Sequence, residues 1–137
     1  MKTLNAYLIF PGNCREAMNF YHECLGGEMV NMITFEGAPM EVEEKYKNNI
    51  MHAQLKSDAI DLMASDGKPG GTHISGNNIS LSLNVTSEAE QDEIFEKLSK
   101  GGKIVMELED TFWGARFGMI TDKFGIQWML NYYKPQK

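Results

Sequence analysis

The sequence predicts an α+β fold made of two tandem βαβββ modules. The first observation is a repeated order of segments: LNAYLIF, NCREAMNFYHECL, GG and EMVNMITF are matched by ISLSLNV, SEAEQDEIFEKLSK, GG and KIVMELE. The second is the spacing, because Gly26 recurs as Gly101 and Val30 as Val105, each 75 positions later. The third is that two more strand-like segments follow each copy. Together they indicate an internal duplication.

Each predicted helix is bounded at both ends by sequence signals. Asn13 with Glu16, and Ser87 with Glu90, have the spacing of a capping box, in which the cap side chain accepts an amide hydrogen bond and the acid reaches back. A Gly-Gly pair follows both helices, and glycine readily adopts the positive φ at which helices end. The apolar stripes predicted to face the core are Ala17, Phe20, Tyr21, Cys24 and Leu25, and Ile94, Phe95 and Leu98.

The remaining strands are NIMHAQLKSD and AIDLMASD in the first module, and ARFGMITD and IQWMLNYY in the second. Side chains alternate along them, with a bulky face predicted to pack under a helix and a mixed polar face opposite. The bulky sets are Ile126, Trp128 and Leu130; Ile79, Leu81 and Leu83; and Ile60, Leu62 and Ala64. The mixed sets are Gln127, Met129 and Asn131; Ser80, Ser82 and Asn84; and Asp61, Met63 and Ser65. A mixed face suits an organic ligand, solvent, or a dimer partner.

The chain length predicts one domain over 1–137, with module 1 at 1–66, a glycine-rich connector at 67–77 and module 2 at 78–137. The acidic segment 36–48, between the second and third strands, is a candidate lid. A charge of −6 without a basic cluster argues against nucleic acid as a partner. The apolar run that opens the chain is too short for a signal peptide or a membrane span, so we expect a cytoplasmic protein.

The two cysteines, Cys14 and Cys24, fall on one predicted helix, roughly 15 Å apart at 1.5 Å rise per residue. That separation is beyond the reach of a disulfide, so we expect two reduced thiols that pack in the core. His22 is predicted on the exposed side of the same helix and His73 in the connector, both solvated.

Three runs resemble the vicinal oxygen chelate superfamily, and within it the PhnB-like branch: FPGNCREAMNFYHECLGGE, IMHAQL and FWGARFGMITDKFGIQWML. The superfamily includes glyoxalase I, ring-cleaving dioxygenases, and fosfomycin and bleomycin resistance proteins, and the resemblance covers essentially the whole chain. It implies that the modules curl their sheets into a cup and that a homodimer completes or flanks the sites. A shared fold does not by itself imply catalysis.

Metal-dependent members of that superfamily hold a divalent ion with His and Glu side chains. Four residues after the turn glycine Gly125, where those enzymes place a glutamate, this chain has Met129, whose thioether is a poor ligand for such an ion. No histidine occurs near Ser80 or in LNAYLIF. The resemblance therefore predicts no metal and no other cofactor. The alternative is one divalent metal held with the help of His52 and Asp61.

The candidate ligand-binding residues come from the mixed strand faces and from the closing hairpin. His52 and Gln54 share a strand face, and Arg116 beside Trp113 suits an anionic or planar ligand, although the arginine equally suits an ion pair inside a dimer contact. Asp122 and Gly125 are interpreted as turn residues. No catalytic residue is assigned. The full candidate set is His52, Gln54, Asp61, Met63, Trp113, Arg116, Gln127, Met129 and Asn131.

Two functional hypotheses of different class follow. The first is a homodimer that binds a small molecule and lacks the usual metal ligands; the second is a metal-dependent lyase, isomerase or thiol transferase. A third, quinone methyltransferase activity, is disfavoured because no glycine-rich strand-to-helix turn for a nucleotide-like cofactor is present. The sequence does not identify the ligand.

Overall fold

A computed structural model describes residues 3–135. The chain divides into two compact units, one up to Ile74 and one from Ser75, and the division lies within the predicted connector. We call these units module 1 and module 2 and describe each by itself. Module 1 contains β1 (Ala6–Ile9), α1 (Cys14–Leu25), β2 (Glu28–Thr34), β3 (Ile50–Lys56) and β4 (Asp61–Ser65). Module 2 contains β5 (Leu81–Asn84), α2 (Glu88–Ser99), β6 (Lys103–Asp110), β7 (Ala115–Thr121) and β8 (Gln127–Tyr133).

Both modules have the same sheet topology, which confirms the predicted duplicated βαβββ architecture. The strand orders are β1-β4-β3-β2 and β5-β8-β7-β6. In each sheet the first strand lies parallel to the last, and the other neighbours are antiparallel. The parallel pairs place Tyr7 opposite Met63 and Ser82 opposite Met129.

The core of module 1 lies between α1 and one face of its sheet. Ala53, Leu55, Leu62 and Ala64 are buried on that face. The predicted stripe of α1 is buried with them, apart from the half-buried Leu25. Burying a leucine side chain contributes about 1.5–3 kcal/mol, so this layer holds the helix on the sheet.

The core of module 2 confirms that the bulky face of the closing strand packs under a helix. Trp128 and Leu130 are 2% and 0% exposed, and Phe95 and Leu98 of α2 are also buried. At Gly118 in β7, a Cβ atom would lie 2.9 Å from both Leu108 Cδ2 and Phe95 Cε2. Glycine is therefore needed there for close packing of the helix, the sheet and the neighbouring strand.

The predicted side-chain cap of α1 is wrong. Asn13 makes no capping hydrogen bond, and its buried Oδ1 has no partner. Asp66, which follows β4, instead accepts bonds from the backbone N–H groups of Gly12, Cys14 and Ile50 at 3.0, 2.8 and 2.7 Å. A carboxylate from the sheet therefore replaces the local cap and joins the start of α1 to β3.

The observed cap of α2 agrees with the sequence-based prediction more closely than that of α1 does. Ser87 Oγ accepts from the N–H of Glu90 at 3.1 Å, as predicted. Glu90 reaches back to the N–H of Thr86, one residue before the position that a capping box uses. The α2 helix is thus capped from within its own segment.

Asp122 closes the turn between β7 and β8, in agreement with its predicted role. Its carboxylate accepts from the N–H groups of Phe124 and Ile126 and, at 2.8 Å, from Trp128 Nε1, and the residue is 3% exposed. Gly125 has φ of 89°, a conformation that favours glycine. The Asp122 carboxylate therefore links the turn to the core of module 2.

Cys14 and Cys24 are buried and are not joined by a disulfide, as predicted. His22 is exposed, and its Nε2 lies 3.0 Å from the carbonyl oxygen of Gly27, next to the end of α1. Within residues 3–135, no helix combines the length and the apolar character that crossing a membrane requires.

Candidate functional site

The face of the module 1 sheet opposite α1 brings together the first four candidate residues. We call this surface the open face of module 1. Strand alternation places it on the side away from the buried Ala53, Leu55, Leu62 and Ala64. It is formed by Tyr7, Ile33, His52, Gln54, Asp61 and Met63.

Tyr7 and His52 form the central pair of the open face of module 1. The Tyr7 hydroxyl lies 2.9 Å from His52 Nδ1, and the two rings stack with centroids 5.6 Å apart and planes inclined by 29°. Partial burial raises the pKa of Tyr7 above its usual value, with a smaller contribution from nearby Cys14, so the phenol stays protonated. When the phenol donates to Nδ1, the imidazole proton lies on Nε2; in the opposite arrangement Nδ1–H donates to the phenol oxygen.

Gln54 and Asp61 form a second fixed pair on the same face. Gln54 Nε2 donates to Asp61 Oδ1 at 2.7 Å. This bond orients the amide and leaves the Gln54 carbonyl oxygen and the second Asp61 oxygen as acceptors. Met63 lies directly across from Gln54 in the sheet and adds an apolar surface. The face therefore combines an imidazole, two acceptors and a thioether.

The side chains of this face do not suit a divalent metal. Catalytic zinc sites use three protein ligands, and harder ions need several oxygen ligands. Anywhere within residues 3–135, no group of three His, Cys, Asp or Glu side chains is placed to hold an ion. On this face Nδ1 of His52 is bonded to Tyr7 and one oxygen of Asp61 is bonded to Gln54. That the protein uses no metal remains a prediction.

The corresponding surface of module 2, its open face, is the side of the sheet away from α2. Gln127, Met129 and Asn131 lie there, as alternation predicted, and Phe117 and Met119 are paired with Asn131 and Met129. The polar members are engaged within the module. Gln127 Nε2 donates to the Ile79 carbonyl at 2.7 Å, and Asn131 Nδ2 donates to Asn84 Oδ1 at 3.2 Å. This leaves a surface dominated by sulfur and aromatic groups.

Trp113 lies at the turn between β6 and β7, at the border of the open face of module 2. Phe112 beside it is 98% exposed, and the two rings meet edge to face at 5.0 Å. On the other side, the Trp113 ring lies 6.2 Å from that of Phe117. The Trp113 ring thus extends the open face of module 2 through its contact with Phe117.

Arg116 is separated from the other candidates because its side chain lies on the α2 side of the sheet. Nη1 donates to Asp92 Oδ1 at 2.8 Å and to Gln91 Oε1 at 3.3 Å, and Nε lies 3.6 Å from Glu88 Oε1. These contacts favour the ion-pair interpretation, with the acids supplied by α2 of the same chain. A ligand-binding role for Arg116 stays a prediction that these contacts do not support.

The acidic loop 36–48 is tied at its base to the strands on either side. The N–H of Phe35 donates to the Asn49 carbonyl and that of Glu36 to the Lys47 carbonyl, both at 3.1 Å. Short 3₁₀ turns occupy Phe35–Gly37 and Glu44–Tyr46. Between them is a concavity of about 390 Å³, lined by Phe35, Glu36, Met40, Glu41, Val42 and Lys47. Whether the loop acts as a lid is untested.

Tyr7 is the site residue that the sequence interpretation missed. The sequence-based prediction for LNAYLIF concerned only a histidine ligand. Its partner His52 lies 45 positions later, and no local pattern predicts that pair. The sequence signal available was a tyrosine, with its polar hydroxyl, in the otherwise apolar segment AYLI.

Comparison with known proteins places the chain in a family. The profile of the Glyoxalase/Bleomycin resistance protein/Dioxygenase superfamily matches residues 3–130. The chain is similar to protein YjdN of Escherichia coli strain K12, with 35% identity over 97% of each chain.

Two solved structures share the fold. Protein PA1353 from Pseudomonas aeruginosa is 43% identical, with a TM-score of 0.90 over 98% of this chain and 100% of that one. The PhnB protein from Bacillus cereus is 26% identical, with a TM-score of 0.79 over 96% and 99%. The chain belongs to the Glyoxalase/Bleomycin resistance protein/Dioxygenase superfamily, as a PhnB-like member.

Proposed function

We propose that this protein binds a small organic ligand on the open face of module 1 and uses no metal to do so. The observation that carries the proposal is the Tyr7–His52 pair, with its 2.9 Å hydrogen bond and stacked rings. A histidine held by a neighbouring hydroxyl presents its other nitrogen in a fixed direction and tautomer. Such a group suits recognition of a ligand oxygen.

The ligand class follows from the polar atoms that remain after the internal bonds are made. When Tyr7 donates to Nδ1, His52 Nε2–H donates to an oxygen acceptor such as a carbonyl, carboxylate or ether. The second oxygen of Asp61 and the Gln54 carbonyl accept from a hydroxyl or amine, while Met63 and Ile33 contact the apolar body. Mainly apolar sites with a few placed polar groups are typical of organic-ligand pockets. We assign no reaction to this site.

The proposed assembly is a cytoplasmic homodimer. Edge strands β2 and β6 expose apolar side chains, with Val30 at 42% and Val105 at 54%. Exposed apolar edges of this kind are usually covered by a partner. Equilibrium sedimentation measures the mass, and a monomer at all concentrations tested would contradict this part.

Ligand-observed NMR with a panel of small phenols, amides and carboxylic acids tests the binding proposal. Saturation-transfer signals are expected with the wild-type protein and are expected to decrease with His52→Leu, because the donor is lost. His52→Gln restores a donor of similar position and is expected to recover part of the signal. Signals that are equal in all three proteins, or absent throughout the panel, would contradict the proposal.

Metal titration separates the proposal from the metal-dependent alternative. The purified protein is incubated with Zn²⁺, Ni²⁺, Mn²⁺ or Fe²⁺, desalted, and analysed for bound metal. We expect much less than one ion per chain. One ion per chain that is lost on His52→Ala or Asp61→Ala would instead support a metal-dependent lyase, isomerase or transferase.

A further inference from the structure

Three methionines form a row across the sheet of module 2. Met119 on β7 pairs with Met106 on β6 and with Met129 on β8. The row continues to Ser82 on β5, the partner of Met129. Directly opposed residues in a regular ladder have Cβ atoms about 4.5–5.5 Å apart, which applies to Met119 and Met129. On the other side, β6 has a register shift both before and after Met106, so Met106 pairs with Met119 at a bulged part of its strand.

Met119 and Met129 lie on the open face of module 2, and Met106 is the partner of Met119 on the neighbouring strand. The residues on either side of Met119 along β7, Gly118 and Ile120, face α2 and are buried. Met106 is 48% exposed, and Met119 and Met129 are half-buried. Met18 of α1, in contrast, is fully buried. The thioethers of the row are therefore accessible, while those of ordinary core methionines are not.

The chemistry of a thioether row differs from that of the His and Glu sets used for divalent ions. Neutral sulfur ligands are soft and select soft ions such as Cu(I) over Zn²⁺, Mg²⁺ or Mn²⁺. Methionine has three rotatable bonds, so sulfur atoms from three adjacent strands can turn toward a common point. We propose that Met106, Met119 and Met129 bind one soft monovalent cation, Cu(I) or Ag(I), through three thioether sulfurs.

Thiols are the strongest competing soft ligands, and those of this chain are poorly placed to compete. Cys14 is fully buried in module 1, and burial, with nearby Asp66, raises its pKa to about 12. Cys24 is also buried. A protonated, enclosed thiol is a poor metal ligand because the thiolate is the binding form. Ion uptake by the folded protein is therefore expected at the methionine row.

The test is a titration of the full chain with Ag(I), which needs no reductant, and with Cu(I) under anaerobic conditions. Native mass spectrometry gives the stoichiometry, and competition with a chromogenic chelator gives the affinity. We expect one ion per chain. Met119→Leu removes the central ligand but keeps the volume and the apolar surface, and is expected to weaken binding by at least about tenfold.

Control variants decide whether the row itself is the site. Met40→Leu changes an exposed methionine in the 36–48 loop, 55% exposed, and is expected to leave the affinity unchanged. No uptake at micromolar Ag(I), or uptake that Met119→Leu and Met129→Leu leave intact, would overturn the proposal. Uptake that is instead lost in a Cys14→Ser, Cys24→Ser double variant would also overturn it. Thermal unfolding shows whether each variant is folded.

Discussion

The two modules share one backbone plan and differ in what their sheets present on the side away from the helix. The open face of module 1 presents hydrogen-bonding groups, with Tyr7 bonded to His52 and Gln54 to Asp61. The corresponding face of module 2 presents thioethers and aromatic rings, and its amides are bonded within the module. Duplication thus preserved the packed faces, while the open faces diverged in chemistry.

The modules also differ in how the helix is fixed at its start. Asp66, just after β4, accepts two backbone bonds at the start of α1 and one from β3, whereas Ser87 caps α2 locally. Asp66→Ala is expected to destabilise the fold by about 3 kcal/mol, because three backbone N–H groups, two of them in part-buried bonds, lose a charged partner. Ser87→Ala is expected to cost about 1 kcal/mol. Urea unfolding measures both, and Asp58→Ala on the exposed surface is the control. Equal losses for Asp66 and Ser87 would contradict the contrast.

A second difference lies at the centre of the third strand of each module. Ala53 of β3 pairs with Ala64, whereas Gly118 of β7 pairs with Leu130 and meets Leu108 and Phe95. Gly118→Ala is expected to destabilise the protein by about 2 kcal/mol through overpacking. Thermal or urea unfolding checks this. A neutral Gly118→Ala would show that the helix of module 2 packs less tightly than described.

Substitution of Arg116 tests whether its contacts with α2 contribute to stability rather than to ligand binding. Arg116→Met keeps the apolar stem but removes the bonds to Asp92 and Gln91. The expected loss is about 1 kcal/mol, since the acids are largely exposed and exposed ion pairs contribute little. The loss should shrink at high salt. Unchanged stability together with loss of ligand binding would return Arg116 to the ligand-binding set.

The raised pKa of Cys14, a residue of module 1, predicts that the stability of the protein depends on pH. Its pKa in the folded protein is raised from 9.0 to about 12 by burial and by nearby acids. Above pH 9 the unfolded chain loses this proton while the native chain keeps it, so stability falls with rising pH until about pH 12. The slope from this group is at most about 1.4 kcal/mol per pH unit, and less with solvent screening. In Cys14→Ala the decline between pH 9 and 11 is expected to be shallower; an identical slope would contradict this.

Local sequence patterns predicted the strands, the helices and most of the packed faces, but Ile79, predicted on a packed face, lies before β5 and is 74% exposed. Alternation, helical spacing and glycine stops act within a segment, and Trp128 and Leu130 fell on the buried face as expected. The other misses are long-range: Asp66 takes the place of the Asn13 cap by bonding to Cys14, 52 residues away, and Tyr7 pairs with His52 across the sheet. No periodicity encodes which side chains meet across strands that are distant in sequence.

The most direct test of the central claim is the dissociation constant of one oxygen-bearing ligand from the NMR panel, compared between Tyr7→Phe and Tyr133→Phe. Both variants remove one hydroxyl, but Tyr133 is an exposed residue of module 2, 65% accessible, and serves as the matched control. We expect Tyr7→Phe to weaken binding about tenfold, the value of one lost hydrogen bond that orients the donor. Tyr133→Phe should leave the constant unchanged. Equal constants in the wild-type protein and both variants would contradict a ligand site on the open face of module 1.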